Sequence, residues 1–214
     1  TSGALTRRDG LRLVLERSRL QASVAGRGGM ALVSAPADAV SRHLPTDVTI
    51  AGENGPRATL IAGAKAAVTA ACATLDKADI VSLPIDVPVA YHSAQMDPLR
   101  PQLEERLRDL QPLPAPIPMV STVTGAATDG PSLDASYWGR NLREPVRFRQ
   151  GIAALLAASY RAFIELAPHP LLAPQMRQMA TGATVIVPLR RDAATPAAAQ
   201  SALAPLRQAS GTEA

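Results

Sequence analysis

The sequence predicts an α/β fold, and three observations carry that prediction. Apolar residues switch repeatedly between a helical period and strand-like alternation. Between Met30 and Val89 the switches run strand, helix, strand, strand, helix, strand. Beyond Met119 strands and helices alternate again, the pattern of a parallel α/β layer.

The elements follow in chain order. Leu5 to Ala22 reads as a helix, with Thr6 as its cap and Leu11, Val14, Leu15 and Leu20 at helical spacing. Gly26-Arg27-Gly28-Gly29 breaks it. Met30–Ser34 is a strand, and Pro36–Leu44 a short helix with Pro in its first turn. Val48–Ala51 and Ala58–Ala62 are strands joined by the turn Asn54-Gly55-Pro56, with Gly63 ending the second. Ala64–Lys77 is an Ala-rich helix, and Ile80 through Val89 a fourth strand. This β-α-β-β-α-β order is the split, ferredoxin-like arrangement, with four strands and two helices on one face.

Pro98–Leu110 is then a helix with a Leu99, Leu103, Leu107, Leu110 stripe, and the proline-rich run 111–118 is extended. Met119–Thr124 is a strand ended by Gly125, and 134–142 is polar and aromatic. Pro145–Ala158 and Leu171–Ala180 read as helices, Ala162–Leu166 and Val185–Val187 as strands. Ala193–Gln208 is an Ala-rich helix before a frayed tail. With a helix before the split unit and too few strands after it, the small unit reads as an insertion into an α/β domain whose beginning is missing.

Composition narrows the function. The 214 residues are 47% hydrophobic but only 3% aromatic, so the core must be built from Leu, Val, Ile and Ala. The net charge is +4, from arginines spread along the chain rather than gathered on one face. Nucleic-acid binders concentrate basic residues and add stacking aromatics, so a nucleic-acid partner is not expected, while an acidic partner fits. Cys72 is the single cysteine and lies in a helical run, which suits a buried thiol. No 18-residue apolar run and no signal peptide occur, so a soluble cytoplasmic protein with no membrane partner is expected.

There is no Gly-x-Ser-x-Gly, no phosphate-cradling glycine motif and no metal-ligand spacing, so no metal is expected. His43, His92 and His169 lie far apart in sequence. His92 follows the alternating run from Val87, where a strand hands over to a loop. An imidazole there is placed for proton transfer, and equally for a polar filler satisfied by backbone. Arg17 and Arg19 fall in the last turn of a helix, where the dipole favours cations in any case. A guanidinium there can also grip a carboxylate through two parallel hydrogen bonds.

At this point several stretches together resemble the acyltransferase domains of modular polyketide synthases. Ala90-Tyr91-His92-Ser93-Ala94-Gln95-Met96-Asp97-Pro98-Leu99 resembles the segment around that family's active-site histidine. Glu16-Arg17-Ser18-Arg19-Leu20 and Gly28-Gly29-Met30-Ala31 are similar to its arginine helix and the start of its small subdomain. Asn54-Gly55-Pro56 with Leu60-Ile61-Ala62-Gly63 resembles its central hairpin. Ser121–Gly125, the run Tyr137-Trp138-Gly139-Arg140-Asn141-Leu142-Arg143-Glu144-Pro145-Val146-Arg147-Phe148, and Phe163–Pro170 complete the series.

The resemblance implies an α/β-hydrolase-like large subdomain, 1–27 and 91–188, with the ferredoxin-like small one, 28–90, inserted, and a linker over 189–214. It implies transfer of a malonyl-type acyl group from coenzyme A, through an acyl-serine, to the phosphopantetheine thiol of an acyl carrier protein. No tightly bound cofactor is implied. The partners would be that carrier protein and neighbouring synthase domains such as a ketosynthase. His92 would be the base, Arg17 the carboxylate-binding residue, and the backbone carbonyl of Asn141 the group holding the histidine. Val89-Ala90-Tyr91-His92 matches neither the malonyl nor the methylmalonyl form of the family's selectivity motif. Bulky Tyr91 leans towards malonyl, with Val89 beside it in the motif. The family's nucleophile serine has no counterpart, so the chain is expected to begin after it and to be inactive alone. The competing expectation is a non-catalytic remnant that keeps only a carrier-protein or module-docking surface.

Overall fold

A computed structural model describes residues 2–189, 191 and 195–204. The chain divides into two compact units, Thr1–Gly151 and Ile152–Ala214.

The first unit opens with helix α1, Arg7–Ala22. Thr6 caps it as predicted: the Asp9 amide donates to Thr6 Oγ1 at 3.1 Å. Strands β1 (Gly28–Val33), β2 (Val48–Gly55), β3 (Ala58–Ala64) and β4 (Ser82–Ile85) form one sheet in the order β2-β3-β1-β4. Every neighbouring pair is antiparallel. Helices α2 (Ala37–Ser41) and α3 (Lys65–Lys77) complete the β-α-β-β-α-β order. Ala31, Val33, Val40, Ile61, Val68 and Leu75 form one core between sheet and helices, and Cys72 is buried there as a free thiol.

Several boundaries differ from expectation: the helices expected over 36–44 and 98–110 span only Ala37–Ser41 and Arg100–Arg106, and the strand expected over 48–51 runs on to Gly55. β3 runs through Gly63 to Ala64, and the turn falls at Pro56-Arg57. β4 stops at Ile85 instead of reaching Val89. Pro84 and Pro88 lack the amide a ladder needs, so the strand is a short sheet edge and the chain leaves it early.

A second core joins α1 to helices α4 (Arg100–Arg106) and α5 (Ala135–Arg143). The predicted leucine stripe supplies it: Leu99, Leu103, Leu107 and Leu110 are all buried. α5 is an element the hydrophobic pattern did not reveal. Asp134 Oδ1 caps it, accepting from the Tyr137 amide at 2.8 Å. The expected strand 119–124 is a hairpin of β5 (Met119–Ser121) and β6 (Ala126–Thr128), turning at Gly125 with φ +74°.

Helix α6, Phe148–Ala157, crosses into the second unit. There β7 (Ala162–Ile164) and β8 (Thr184–Ile186) pair in parallel across helix α7 (Ala173–Met179), as alternation predicts. Buried Glu165 accepts the amides of Leu171, Leu172 and Ala173 at 2.8–2.9 Å and so caps α7. Helix α8 spans Pro196–Ala202. The flanks of the expected helix 193–208, the start of the 189–214 linker at Arg190 and Asp192, and the tail fall partly or wholly outside the described residues.

Candidate active site

Three features converge on His92. After β4 the chain runs through Val87-Pro88 to a turn, where His92 adopts φ +57°. His92 therefore sits in a left-handed turn rather than at a strand end, a conformation uncommon for residues with a Cβ. Ser93 Oγ accepts from the Gln95 amide and donates to the Ala90 carbonyl, which locks the turn from both sides. A 3-10 turn, Ala94–Met96, follows, with Met96 fully buried.

His92 Nδ1 donates to the backbone carbonyl of Glu144 at 2.9 Å. That bond fixes the tautomer and leaves Nε2 as an unprotonated acceptor. Burial, helped by the Arg17 charge and opposed by the Glu144 carbonyl, pulls the His92 pKa down to about 4. The imidazole is neutral at neutral pH.

Arg17 turns inward from α1, and its Nη1 donates to Asn141 Oδ1 at 2.8 Å. Burial lowers its pKa from the ordinary arginine value, while Tyr91 acts in the opposite sense. A guanidinium stays charged regardless. Arg19 faces solvent and pairs with Glu16, which also takes Arg106.

The structure brings His92, Arg17, Tyr91 and Asn141 together, and it corrects two assignments. The carbonyl that holds the histidine belongs to Glu144, and Asn141 contributes its side chain to Arg17 instead. Glu144 precedes Pro145, and a residue before proline is driven into extended backbone. Glu144 has φ −75° and ψ 154°, so its carbonyl leaves the helical ladder and is free to accept. That proline was the available signal. Val89 is 2% exposed within the α1–α4–α5 core. Its side chain supports the turn by packing and does not reach an open pocket. Tyr91 is half-buried and packs against both that core and the cluster of Met30, Ala51, Ala62 and Ala90.

His43 and His169 lie apart from this group in the sequence and share no hydrogen bond with it. Among the described residues no three His, Cys, Asp or Glu side chains gather to hold a metal ion. No helix among them is long and apolar enough to cross a membrane.

Residues 1–212 match the family model described as "Acyl transferase domain". The spectinabilin polyketide synthase system protein NorC of Streptomyces orinoci is 38% identical over 198 residues, 89% of this chain and 9% of that protein. Erythronolide synthase EryA2 of Saccharopolyspora erythraea is 38% identical over 200 residues, covering 89% of this chain and 6% of that one. The chain thus spans under a tenth of these relatives' length. Among solved structures, the acyltransferase domain from module 8 of the salinomycin polyketide synthase superposes with a TM-score of 0.91 at 32% identity, over 95% of this chain and 50% of that one. The loading acyltransferase of the avermectin modular polyketide synthase gives 0.89 at 33%, over 96% and 67%. With the site built from the same stretches that carry the sequence resemblance, the chain belongs to the acyltransferase domain family of the modular polyketide synthases.

Proposed function

We propose that these residues are the base-and-arginine half of a malonyl-type acyltransferase site. The observation that carries this reading is the His92 Nδ1–Glu144 carbonyl bond beside half-buried Arg17. Nε2 accepts the proton of a serine hydroxyl as its oxygen attacks the thioester carbonyl of an acyl-coenzyme A. The tetrahedral intermediate collapses, the C–S bond breaks, and the thiol leaves with that proton. The phosphopantetheine thiol of an acyl carrier protein then attacks the acyl-serine by the reverse sequence. Because burial disfavours the imidazolium, the proton is passed on readily.

Arg17 fits the free carboxylate of a malonyl group, two parallel N–H···O bonds being available to a guanidinium already oriented by Asn141. Tyr91 crowds the space an α-methyl would need. Exclusion of one methyl is worth roughly 1–3 kcal/mol, a preference rather than a barrier.

The serine this reading calls for has no Gly-x-Ser-x-Gly counterpart among the 214 residues. Leu11, Val14 and Leu15 leave an apolar stripe of α1 uncovered, at 66%, 62% and 48% exposure. Leu11 and Val14 also edge an open cavity of about 700 Å³ lined by Met119, Leu133 and Trp138. Such a surface suits the nucleophile-bearing segment. The antiparallel order β2-β3-β1-β4 supports reading 28–90 as a ferredoxin-like subdomain, set into a hydrolase-like one made of 1–27 and 91–188.

The test is a loading assay with radiolabelled malonyl- and methylmalonyl-coenzyme A. It uses the 214-residue chain and the same chain fused behind the nucleophile segment of the avermectin loading acyltransferase. The chain alone stays unlabelled; the fusion loads malonyl in preference to methylmalonyl, and His92→Ala slows it roughly 10³-fold or more. Saturable labelling of the chain alone, or a fusion indifferent to His92→Ala, overturns the reading.

A further inference from the structure

The carbonyl that holds His92 is itself held by the small sheet. β2 is an edge strand, with β3 on one side only. On its other side it takes the segment after α5 as a parallel partner through an isolated bridge between Gly52 and Val146. The Val146 amide donates to the Ala51 carbonyl, and the Glu53 amide to the Val146 carbonyl, each at 2.8 Å. Two β2 features permit this approach. The register of β2 against β3 shifts between Ile50 and Gly52, leaving Ala51 without a β3 partner. Gly52 has no side chain: a Cβ there would stand 3.0 Å from Val146 Cβ and 3.1 Å from its carbonyl oxygen.

Glu53 adds a side-chain grip on the same segment. Its Oε2 accepts from Arg149 Nη2 at 3.0 Å and Nε at 3.2 Å, and its Oε1 from Gln150 Nε2 at 3.1 Å. Arg149 and Gln150 form the first turn of α6, a few residues beyond Glu144. The Arg147 amide is bonded to the Thr122 carbonyl at 2.8 Å, and Arg143 pairs with Asp97. The chain from 143 to 150 is thus fastened at both ends, and the carbonyl that receives His92 Nδ1 lies between the fastenings.

We infer that Glu53 is a positioning residue for His92, fixing the Glu144 carbonyl by clamping Arg149 and Gln150 to the small sheet. The imidazole and β2 then form one mechanical unit, and displacement of the sheet edge is felt at Nε2. The consequence for turnover rests on reading His92 as the base; the consequence for the ring itself does not.

Two measurements test this. In the 214-residue chain at pH 7, nitrogen NMR reports which ring nitrogen of His92 carries the proton, with His92→Gln identifying the resonance among three histidines. The parent shows a protonated Nδ1 and a bare Nε2. Glu53→Ala and Arg149→Ala each shift the ring towards the tautomer mixture of free imidazole and speed exchange of the Nδ1 proton roughly 10-fold. The double variant adds little to either single one, as residues of one network must. Should Glu53→Ala fail to fold, isosteric Glu53→Gln and the shorter, uncharged Arg149→Gln give the same readout in smaller measure. Ring shifts matching the parent in these variants overturn the inference, whatever happens to the melting temperature. In the fused enzyme, Glu53→Ala lowers kcat roughly 10-fold with KM little changed, and Glu53→Gln recovers part of the loss. A change in KM alone overturns it. If the fusion loads normally without His92, the base reading falls, while the tautomer measurement still decides the clamp.

Discussion

His92 shows how a side chain's surroundings set its chemistry. Its type and place were legible, because a lone imidazole after an alternating run stands out. From spacing alone Arg17 was one of two arginines in the same helical turn, and only the family resemblance singled it out; packing turns it inward and leaves Arg19 in solvent. Glu144 was not legible, because a backbone carbonyl carries no residue-type signature; only Pro145 hinted that this carbonyl would leave the helix. The depressed pKa of His92 has a consequence for stability. The ordinary value of 6.5 applies to the unfolded chain and about 4 to the folded one. Between these values the unfolded state binds more protons, so stability rises with pH across that window and levels off above it. The full difference corresponds to at most about 3 kcal/mol. Urea midpoints of the parent chain should fall as pH drops from 6.5 to 4, and His92→Gln should lack that part of the fall. Parallel pH profiles for the two proteins would place the His92 pKa near its ordinary value.

Elements with a clean period were readable, and those defined by a cap or a turn were not. The leucine stripe from Leu99 to Leu110 and the Thr6 cap of α1 were visible because side chains at fixed spacing make them, although the helix itself covers only Arg100–Arg106 of that stripe. α5 was hidden because its apolar face is broken by Gly139, Arg140 and Asn141, and its start depends on Asp134. β4 was read too long because alternation persists past Ile85 while Pro84 and Pro88 remove its donors. The start of β1 shows how tightly these elements constrain the histidine turn. A Cβ on Gly28 would lie 2.0 Å from the Ala90 amide nitrogen and 2.7 Å from the Val89 carbonyl carbon. Both neighbours are backbone, two and three residues before His92, and neither yields as a flexible side chain would. Gly28→Ala should therefore cost about 3 kcal/mol or more in urea unfolding and displace the turn. Gly29→Ala is the comparison: its nearest contact is 3.2 Å, to Lys65 Cα, and its cost should be smaller. Equal midpoints for the two variants would show that the Gly28 approach is relaxed in solution.

Across the whole molecule, strand length and cover differ sharply between the two units. β1 and β3 pair over six residues, are flanked by β4 and β2, and bury Ala31, Val33 and Ile61 completely under α2 and α3. β7 and β8 pair over three residues, with Ile164 41% exposed and neither strand flanked by another in its sheet. An isolated two-stranded ladder is marginal, whereas a covered four-stranded sheet opens only with its core. The alternating pattern foretold strands in both places and the count of four in the small sheet, but how strands pair across a sheet is a long-range property that local periodicity does not encode. Native-state hydrogen exchange followed by mass spectrometry should separate the two. Central amides of β1 and β3 are expected to exchange at least ~100-fold more slowly than those of Phe163 and Val185 after correction for intrinsic rates. Such a gap means that the second unit opens while the four-stranded sheet stays closed. Uniform protection would mean that one cooperative step opens both sheets, and the His92 site would then be no more durable than the β7–β8 ladder.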